Sequence, residues 1–381
     1  ASQVYSVIGF AVCGKPGFIE WPFSSTLERL TRIKTGKLDA NAACDDGRYP
    51  FFTCASSPLR IDEAAYDCEC VLVAGNGDLN VKYYSGQFNA YQRTYIIESL
   101  NSDVLAVPYL YRFLDFYVAT LREQSIGGVI KYIKLGNLKD AVIPLPPIPE
   151  QNKIVAQLDC IDEGLARANT ELLKLDDLVK SRFTEMFGGE NDVKAKTLND
   201  VCSIITDGTH QPPSFSSGGV PFLLVSNIVG NRISYETNKF ISEEDCVRLM
   251  KRTPVEVGDI LVSAVGSFGH PAIVKEDKPF CFQRHIAYLK PKRELIDSNY
   301  LHAVLLSDDA QRYMDRSAKG VAQRTVTLKS FKEMPIHVPL LEHQREFAVF
   351  AQRVDKLRFD VQQQIDKLEL LKSSLMQEYF G

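Results

Sequence analysis

The chain has 381 residues, 45% of them hydrophobic and 24% charged, with a net charge of −4 and an isoelectric point near 6.0. That length exceeds one ordinary core and predicts two or more domains. No apolar run approaches the ~20 residues of a membrane span, and the N-terminus lacks the basic-then-apolar order of a secretory signal, so a cytoplasmic protein with no membrane partner is expected. Nine cysteines without a CxxC pair read as scattered reduced thiols rather than a disulfide framework or a zinc site. The charge balance gives no basic excess of the kind nucleic-acid binders usually show.

In chain order, Val4 to Val12 reads as a strand that no neighbour places. Thr26 to Ile33 is a short helix or strand leading to a loop at Thr35-Gly36-Lys37. Tyr49 to Thr53 and Cys70 to Ala74 are short apolar strands. Gly75-Asn76-Gly77-Asp78 signals a tight turn. Tyr91 to Ile97 alternates as a strand, and Pro108 to Leu121 carries apolar residues at helical spacing. Lys131 to Leu135 and Ala141 to Leu145 are extended. Pro144, Pro146, Pro147 and Pro149 then stop any ladder, and Pro149 suits a first helical turn.

Residues 150–187 form one long amphipathic helix. Its apolar positions, Ile154, Leu158, Ile161, Leu165, Ala168, Leu172, Leu175 and Val179, alternate in steps of four and three, the heptad rhythm of a helix with one partner. Gly188-Gly189 is a C-cap signal, and Gly189 to Lys196 is a polar linker. Beyond it the pattern recurs. Asp207-Gly208 and Ser216 to Gly219 are loops. Pro221 to Ser226, Asp259 to Ser263 and Phe282 to Leu289 are strands. Gly266-Ser267-Phe268-Gly269 is a turn matched to Gly75–Asp78, and Tyr300 to Met314 is a helix. Residues 343–381 repeat the seam at Phe347, Ala351, Val354, Arg358, Val361, Ile365 and Leu368. Arg358 and Lys372 interrupt it, either snorkelling at the rim or pairing with acids that fix the register.

An internal repeat underlies this order. Leu135–Gly188 against Leu328–Gly381 has 13 identities in 54 ungapped positions, anchored at Gln151/Gln344, Asp162/Asp355 and Phe187-Gly188/Phe380-Gly381. Upstream, Gln92-Arg93 matches Gln283-Arg284, Tyr109-Leu110 matches Tyr300-Leu301, and Thr26-Leu27 matches Thr197-Leu198. The expected architecture is α+β: a domain at 1–149, a spacer helix at 150–187, a second domain at 188–342 and a second spacer helix at 343–381. The two helices are expected to form an antiparallel coiled coil with an internal pseudo-twofold. A 38-residue helix is about 57 Å long, enough to act as a ruler between two heads on a duplex whose turns repeat every ~34 Å.

Several chemistries are missing from the sequence. There is no glycine-rich cofactor loop with an Asn/Asp-Pro-Pro-aromatic motif, no phosphate loop and no histidine pair at metal-ligand spacing.

The run Ile143-Pro-Leu-Pro-Pro-Ile-Pro-Glu-Gln-Asn-Lys-Ile154 before a heptad helix resembles the specificity subunits of type I restriction-modification systems. Its weaker copy at Ile336–Phe347, with Ile205-Thr-Asp-Gly-Thr-His210, Gly258-Asp-Ile-Leu-Val-Ser263 and Phe282-Gln-Arg-His-Ile286, extends the resemblance over nearly the whole chain from Trp21. The first domain departs from the pattern, with Glu69-Cys-Val-Leu-Val-Ala74 where Gly-Asp is more typical. The resemblance implies two target-recognition domains, each reading half of a split site on double-stranded DNA. It implies a scaffold for two methyltransferase subunits, which carry S-adenosylmethionine, with motor-nuclease restriction subunits added. This chain would then be non-catalytic and hold no cofactor or metal itself. The alternatives are the recognition part of a fused restriction or methylation enzyme, and a coiled-coil adaptor that ignores DNA.

On that reading Gln92 and Gln283 suit adenine, and Arg93 and Arg284 suit guanine or phosphate; bracing a strand end is the structural alternative. Thr209 and His210 follow a glycine and can enter a groove. Lys34, Lys37 and Arg48 flank loops and suit phosphate. Gly266 and Gly269 either allow close backbone approach to DNA or make a plain turn. Tyr83 and Tyr84 suit sugar or base contact, or core packing. The helix seam, Ile154, Leu158, Ile161, Leu165, Leu172, Leu175, Phe347, Val354, Val361, Ile365 and Leu368, is the candidate partner-holding element.

Overall fold

The computed structural model describes residues 21, 23–188, 196–211, 213–321 and 323–381. The strand expected at Val4–Val12, and the linker up to residue 195, lie outside the described residues. The chain divides into two compact units, residues 1–169 with 363–381, and residues 170–362. Each holds one α+β segment and a stretch of two long helices.

In the first unit the elements run β1 (Ser24–Thr26), α1 (Leu27–Leu30), β2 (Thr31–Thr35), β3 (Tyr49–Phe52), β4 (Leu59–Ile61), β5 (Tyr66–Ala74), β6 (Val81–Ala90), β7 (Thr94–Ser99), α2 (Val107–Gln124), α3 (Leu135–Lys139), β8 (Val142–Pro144) and the long helix α4 (Ile148–Phe187). Six strands form one sheet in the order β2-β7-β5-β6-β3-β4, antiparallel except where β3 meets β6. Helix α2 buries Tyr109, Leu110, Phe113 and Leu121 in a core shared with Val71, Val73 and Ile97 of the sheet.

The second unit follows the same plan: β9 (Lys196–Thr197), α5 (Leu198–Val201), β10 (Cys202–Asp207), β11 (Val220–Leu223), β12 (Ile228–Val229), β13 (Arg232–Ile233), β14 (Phe240–Ile241), α6 (Glu243–Met250), β15 (Ile260–Ser263), β16 (Pro271–Ile273), β17 (Cys281–Phe282), β18 (Ile286–Pro291), α7 (Ser298–Leu306), α8 (Asp308–Ser317), α9 (Leu328–Glu333), β19 (Pro335–Ile336) and α10 (Leu341–Phe380). Its main sheet has the order β10-β18-β15-β16, with smaller pairings beside it.

Several expected boundaries move. The strand expected over Tyr91–Ile97 begins only at Thr94, and residues 91–93 make a turn. The strand expected over Phe282–Leu289 is likewise cut by a turn at Arg284-His285. The helix expected over Tyr300–Met314 breaks at Ser307, whose Oγ accepts from Ala310 N–H at 3.4 Å and starts α8. Both long helices begin two residues early and reach 40 residues, with Pro149 inside the first turn of α4, where its missing N–H costs no bond. Gly188 N–H still donates to Thr184 O at 2.8 Å.

One buried side chain joins each long helix to its α+β segment. Gln151 is 0% exposed. Its Oε1 accepts from Ala106 N–H at 2.9 Å, and its Nε2 donates to Val104 O and to Pro146 O, both at 2.8 Å. Gln344, also 0% exposed, accepts from Asp297 N–H at 2.8 Å and donates to Leu295 O at 3.2 Å and Pro339 O at 2.8 Å. A second tie repeats beside it: Tyr109 Oη donates to Pro144 O at 3.1 Å, and Tyr300 Oη to His337 O at 3.0 Å.

Within each unit, taken by itself, the two long helices run antiparallel. In the first, Tyr379 Oη donates to Gln157 Oε1 at 2.7 Å, and Lys372 pairs with Asp162 at 2.7 Å. Ile154, Leu158 and Ile161 are buried with Leu375, Met376, Tyr379 and Phe380, and Leu165 and Leu368 pack at the edge; Ile365 is 5% exposed. In the second, Phe183 and Phe187 pack edge-on against Phe347, with ring centroids 5.6 and 5.8 Å apart. Leu175, Val354 and Val361 are buried and Leu172 half-buried, while Arg358 pairs with Asp176. Arg358 and Lys372 thus meet acids on the facing helix, the pairing alternative rather than mere snorkelling.

Replacing Gln151 by leucine keeps the volume but leaves three backbone groups without their partner, the Pro146 carbonyl in a buried bond and Ala106 N–H and Val104 O in part-buried ones. The expected loss is about 2–4 kcal/mol, read as a lower urea midpoint of the full chain, and Gln344→Leu should behave alike. A midpoint unchanged in both variants would show that the amide is a bystander.

Candidate functional site

The turns between β6 and β7, and between β17 and β18, sit at the centre of a loop cluster built the same way in each unit. In the first, Tyr91 N–H donates to Phe52 O (2.9 Å), Gln92 N–H to Leu38 O (2.8 Å) and Gly75 N–H to Arg93 O (2.8 Å). In the second, Gln283 N–H donates to Leu223 O (3.0 Å), Arg284 N–H to Thr209 O (3.0 Å) and Ala264 N–H to His285 O (2.9 Å). The bridges Leu38–Tyr91 and Thr209–Gln283 agree with this register.

These bonds correct the alignment read from the sequence. Gln92 occupies the place of Arg284, not of Gln283, and Arg93 that of His285. The shared Gln-Arg dipeptide is offset by one position from the shared backbone geometry. Burial follows the geometry: Gln92 and Arg284 are exposed, whereas Tyr91 and Gln283 are half-buried. Gln283 is therefore partly a bracing residue. The glycine turns shift similarly. Gly266 corresponds to Gly77, not Gly75: the two have φ of 73° and 72°, and each donates to the backbone of the same downstream loop, at Arg324 O (3.0 Å) and Lys131 O (2.9 Å).

The turns are wedged in place by glycine. A Cβ on Gly36 would stand 2.0 Å from Ala90 O, and one on Gly208 would stand 2.1 Å from Phe282 O. Only a residue without a side chain lets these loops pass under the turn. Leu38 and Thr209 consequently lie beside Gln92 and Arg284, whose N–H groups donate to their carbonyls.

The structure sorts the remaining candidates. Lys37, Arg48, Arg93 and His210 are exposed and Thr209 half-buried. Lys34 lies within β2, pairs with Glu98 and sits 5.0 Å over the Tyr66 ring, so it belongs to the sheet and not to a loop. Asp207 holds both His210 (2.9 Å) and Arg252 (2.5 Å), a cation that nothing in the sequence pattern singles out. Burial, and then the charge of Arg284, lowers the pKa of His285. Gly266 is open, with nothing within 4 Å of an added Cβ. Gly269 is buried instead: its O accepts from Gln311 Nε2 at 2.8 Å, and a Cβ would meet Gln311 Oε1 at 2.9 Å. It packs against α8 and cannot offer its backbone to a ligand. Tyr84 packs 5.0 Å from Phe52 in the core, while Tyr83 bonds Glu69 at 2.8 Å.

Among the described residues no three His, Cys, Asp or Glu side chains gather as metal ligands, and no helix is long and apolar enough to cross a membrane. Cys70, Cys202, Cys246 and Cys281 are buried free thiols. Burial pushes Cys202 up to about 12.

One pair of loops escaped the sequence reading. The bridges Ile126–Tyr132 and Lys319–Thr325 close loops at the same place in each unit. The signal was available: the ungapped offset of the repeat continues upstream to Gly127/Gly320 and Lys131/Arg324.

Fold and site together define a protein made of two copies of one α+β module, each presenting a glycine-wedged loop cluster. The chain matches the family described as type I restriction modification DNA specificity domain twice, over residues 20–175 and 190–370, and belongs to that family. It is 39% identical over 162 residues to the EcoDI specificity subunit of Escherichia coli, covering 42% of this chain and 36% of that protein. It is 25% identical over 321 residues to the Escherichia coli EcoBI specificity subunit, covering 76% of this chain and 66% of that one. The chain thus spans about a third and about two thirds of these relatives. A type I restriction-modification S subunit from M. genitalium shares the fold, with TM-score 0.61, 17% identity and 98% of each chain covered.

Gly208→Ala should lower the unfolding midpoint of the second unit and open the 283–285 turn to proteolysis, since a backbone oxygen cannot yield about 1 Å without moving the turn. Unchanged protease resistance would show that the wedge does not hold it.

Proposed function

We propose that this chain is the DNA-sequence-specificity subunit of a type I restriction-modification system. Each unit reads one half of a bipartite site on double-stranded DNA. The chain performs no chemistry. Two methyltransferase subunits, with S-adenosylmethionine bound to them, modify adenine, and motor-nuclease restriction subunits complete the complex. The two long helices act as the coiled-coil spacer.

The observation that carries this reading is the loop cluster. Its backbone bonds are the same in both units, while the side chains at equivalent places differ: exposed Gln92 against exposed Arg284, and half-buried Leu38 beside one turn against half-buried Thr209 beside the other. A frame kept constant under varied side chains is what two readers of different base sequences require. Near-neutral charge fits a protein whose partners supply much of the phosphate contact, so the isolated chain should bind DNA weakly.

Exchanging residues 197–335 for the corresponding domain of another family member tests the reading. Methylation-sensitive sequencing should show one half of the methylated motif changed and the other kept. A motif unchanged by the exchange would favour a protein-only adaptor.

A further inference from the structure

The loops closed at Ile126–Tyr132 and Lys319–Thr325 carry more than their position. In the first unit Ile126 and Tyr132 exchange backbone bonds of 3.0 and 2.9 Å, and Ile133 N–H donates to Gly75 O at 3.0 Å. This loop is therefore anchored on the one that also holds Arg93. A Cβ on Gly127, whose φ is 118°, would lie 2.5 Å from Ile130 O, so the turn closes only around glycine. Beyond it Val129 stands 103% and Ile130 63% exposed. In the second unit Lys319 and Thr325 exchange bonds of 2.9 and 2.8 Å, Gly320 has φ of 103°, and Val321 is 102% exposed.

Fully exposed valine at the tip of a braced loop gains nothing in water and much on burial. The surrounding charge tells what covers it. Residues 124–139 contain Lys131, Lys134 and Lys139 and no acid. Residues 316–332 contain Arg316, Lys319, Arg324, Lys329 and Lys332 and no acid, in a chain of net charge −4; Lys139, Arg324 and Lys329 pair with Glu28, Asp315 and Glu333 outside these stretches, which leaves Lys131 and Lys134 in one unit and Arg316, Lys319 and Lys332 in the other as the cations around the tips. An apolar tip rising from a cationic rim complements a polyanion with an apolar interior, which describes a nucleic-acid duplex: phosphates outside, base faces within. Short aliphatic wedges are known to enter base steps and unstack them.

We propose that Val129 with Ile130, and Val321, are wedges that insert between base pairs of the half-site read by their own unit, with Lys131 and Lys319 on the flanking phosphates. This rests on the DNA-specificity reading above. The wedges add a deformability criterion to the sequence read by the turns, because steps that unstack easily accept them at least cost.

The test uses the full chain assembled with co-expressed methyltransferase subunits. Adenine methylation of random-sequence plasmid DNA first defines the motif. Duplexes carrying that motif, with 2-aminopurine at successive positions, are then titrated. The wild type should raise fluorescence at one step in each half-site. Val129→Ser with Ile130→Ser should abolish the rise in the first half-site and weaken binding about tenfold or more. Val321→Ser should act on the second half-site alone. Val129→Leu with Ile130→Leu, which keeps the tip apolar, should retain both signals. Serine variants with wild-type fluorescence and affinity would overturn the wedge while leaving the specificity reading intact. A wild-type complex that methylates no defined motif would overturn the reading itself.

Discussion

The buried amide of Gln151, and its copy Gln344, is the contact on which each unit depends. A primary amide offers two donors and an acceptor in one plane. Here all are spent on backbone groups: those of the chain entering α2 or α7, in part-buried bonds, and those of the segment entering the long helix, in buried ones. Proline removes its own donor and stiffens the entry, so carbonyls such as those of Pro146 and Pro339 need an outside partner. The result is a fixed angle between helix and sheet, and hence a fixed loop cluster.

Electrostatics reinforces the same joint. Asp162 and Asp355, another matched pair, each tie a long helix to its α+β segment and to the ion pairs that cross to the facing helix. Asp162 accepts from Arg112 at 2.5 Å and pairs with Lys372 on the facing helix. Asp355 meets Lys275 at 2.5 Å and Arg358 at 3.2 Å, and Arg358 in turn reaches Asp176 across the pair. Burial alone would raise the Asp162 carboxyl, but the hydrogen bonds from Lys372 and Arg112 outweigh it and hold it low. Where the repeat departs, the packing departs in concert. Asp259, fully buried, accepts from Tyr288 Oη at 2.7 Å; the matching strand pair of the first unit places Cys70 and Ile96 there, and the polar contact becomes an apolar one.

Much of this was legible from residues alone. The heptad seam and the repeat follow from periodicity, because side-chain spacing on a helix is fixed by its backbone; periodicity also put Arg358 and Lys372 on the seam, but it favoured snorkelling over the pairing with Asp176 and Asp162 that the structure shows. The matched Gln151/Gln344 and Asp162/Asp355 mark the joint for the same reason. The turns were less legible. A shared dipeptide, Gln-Arg, suggested a register that backbone hydrogen bonds displace by one residue, and a glycine at 269 that looked suited to close approach is filled by Gln311. Turn residues obey φ and local bonding rather than periodicity, so identity is a poor guide to equivalence there. The loops closed at Ile126–Tyr132 and Lys319–Thr325 were passed over because they show no strand alternation or helical spacing, only glycines, exposed aliphatic residues and scattered cations.

On the proposed reading each clamped frame presents its turn to DNA. A density map of the full chain, with the proposed methyltransferase subunits, on a duplex bearing the methylated motif decides the matter. Contact with base edges is expected at Gln92 in one unit and at Arg284 in the other. A duplex held against α2 and α7, with both turns facing solvent, would contradict it.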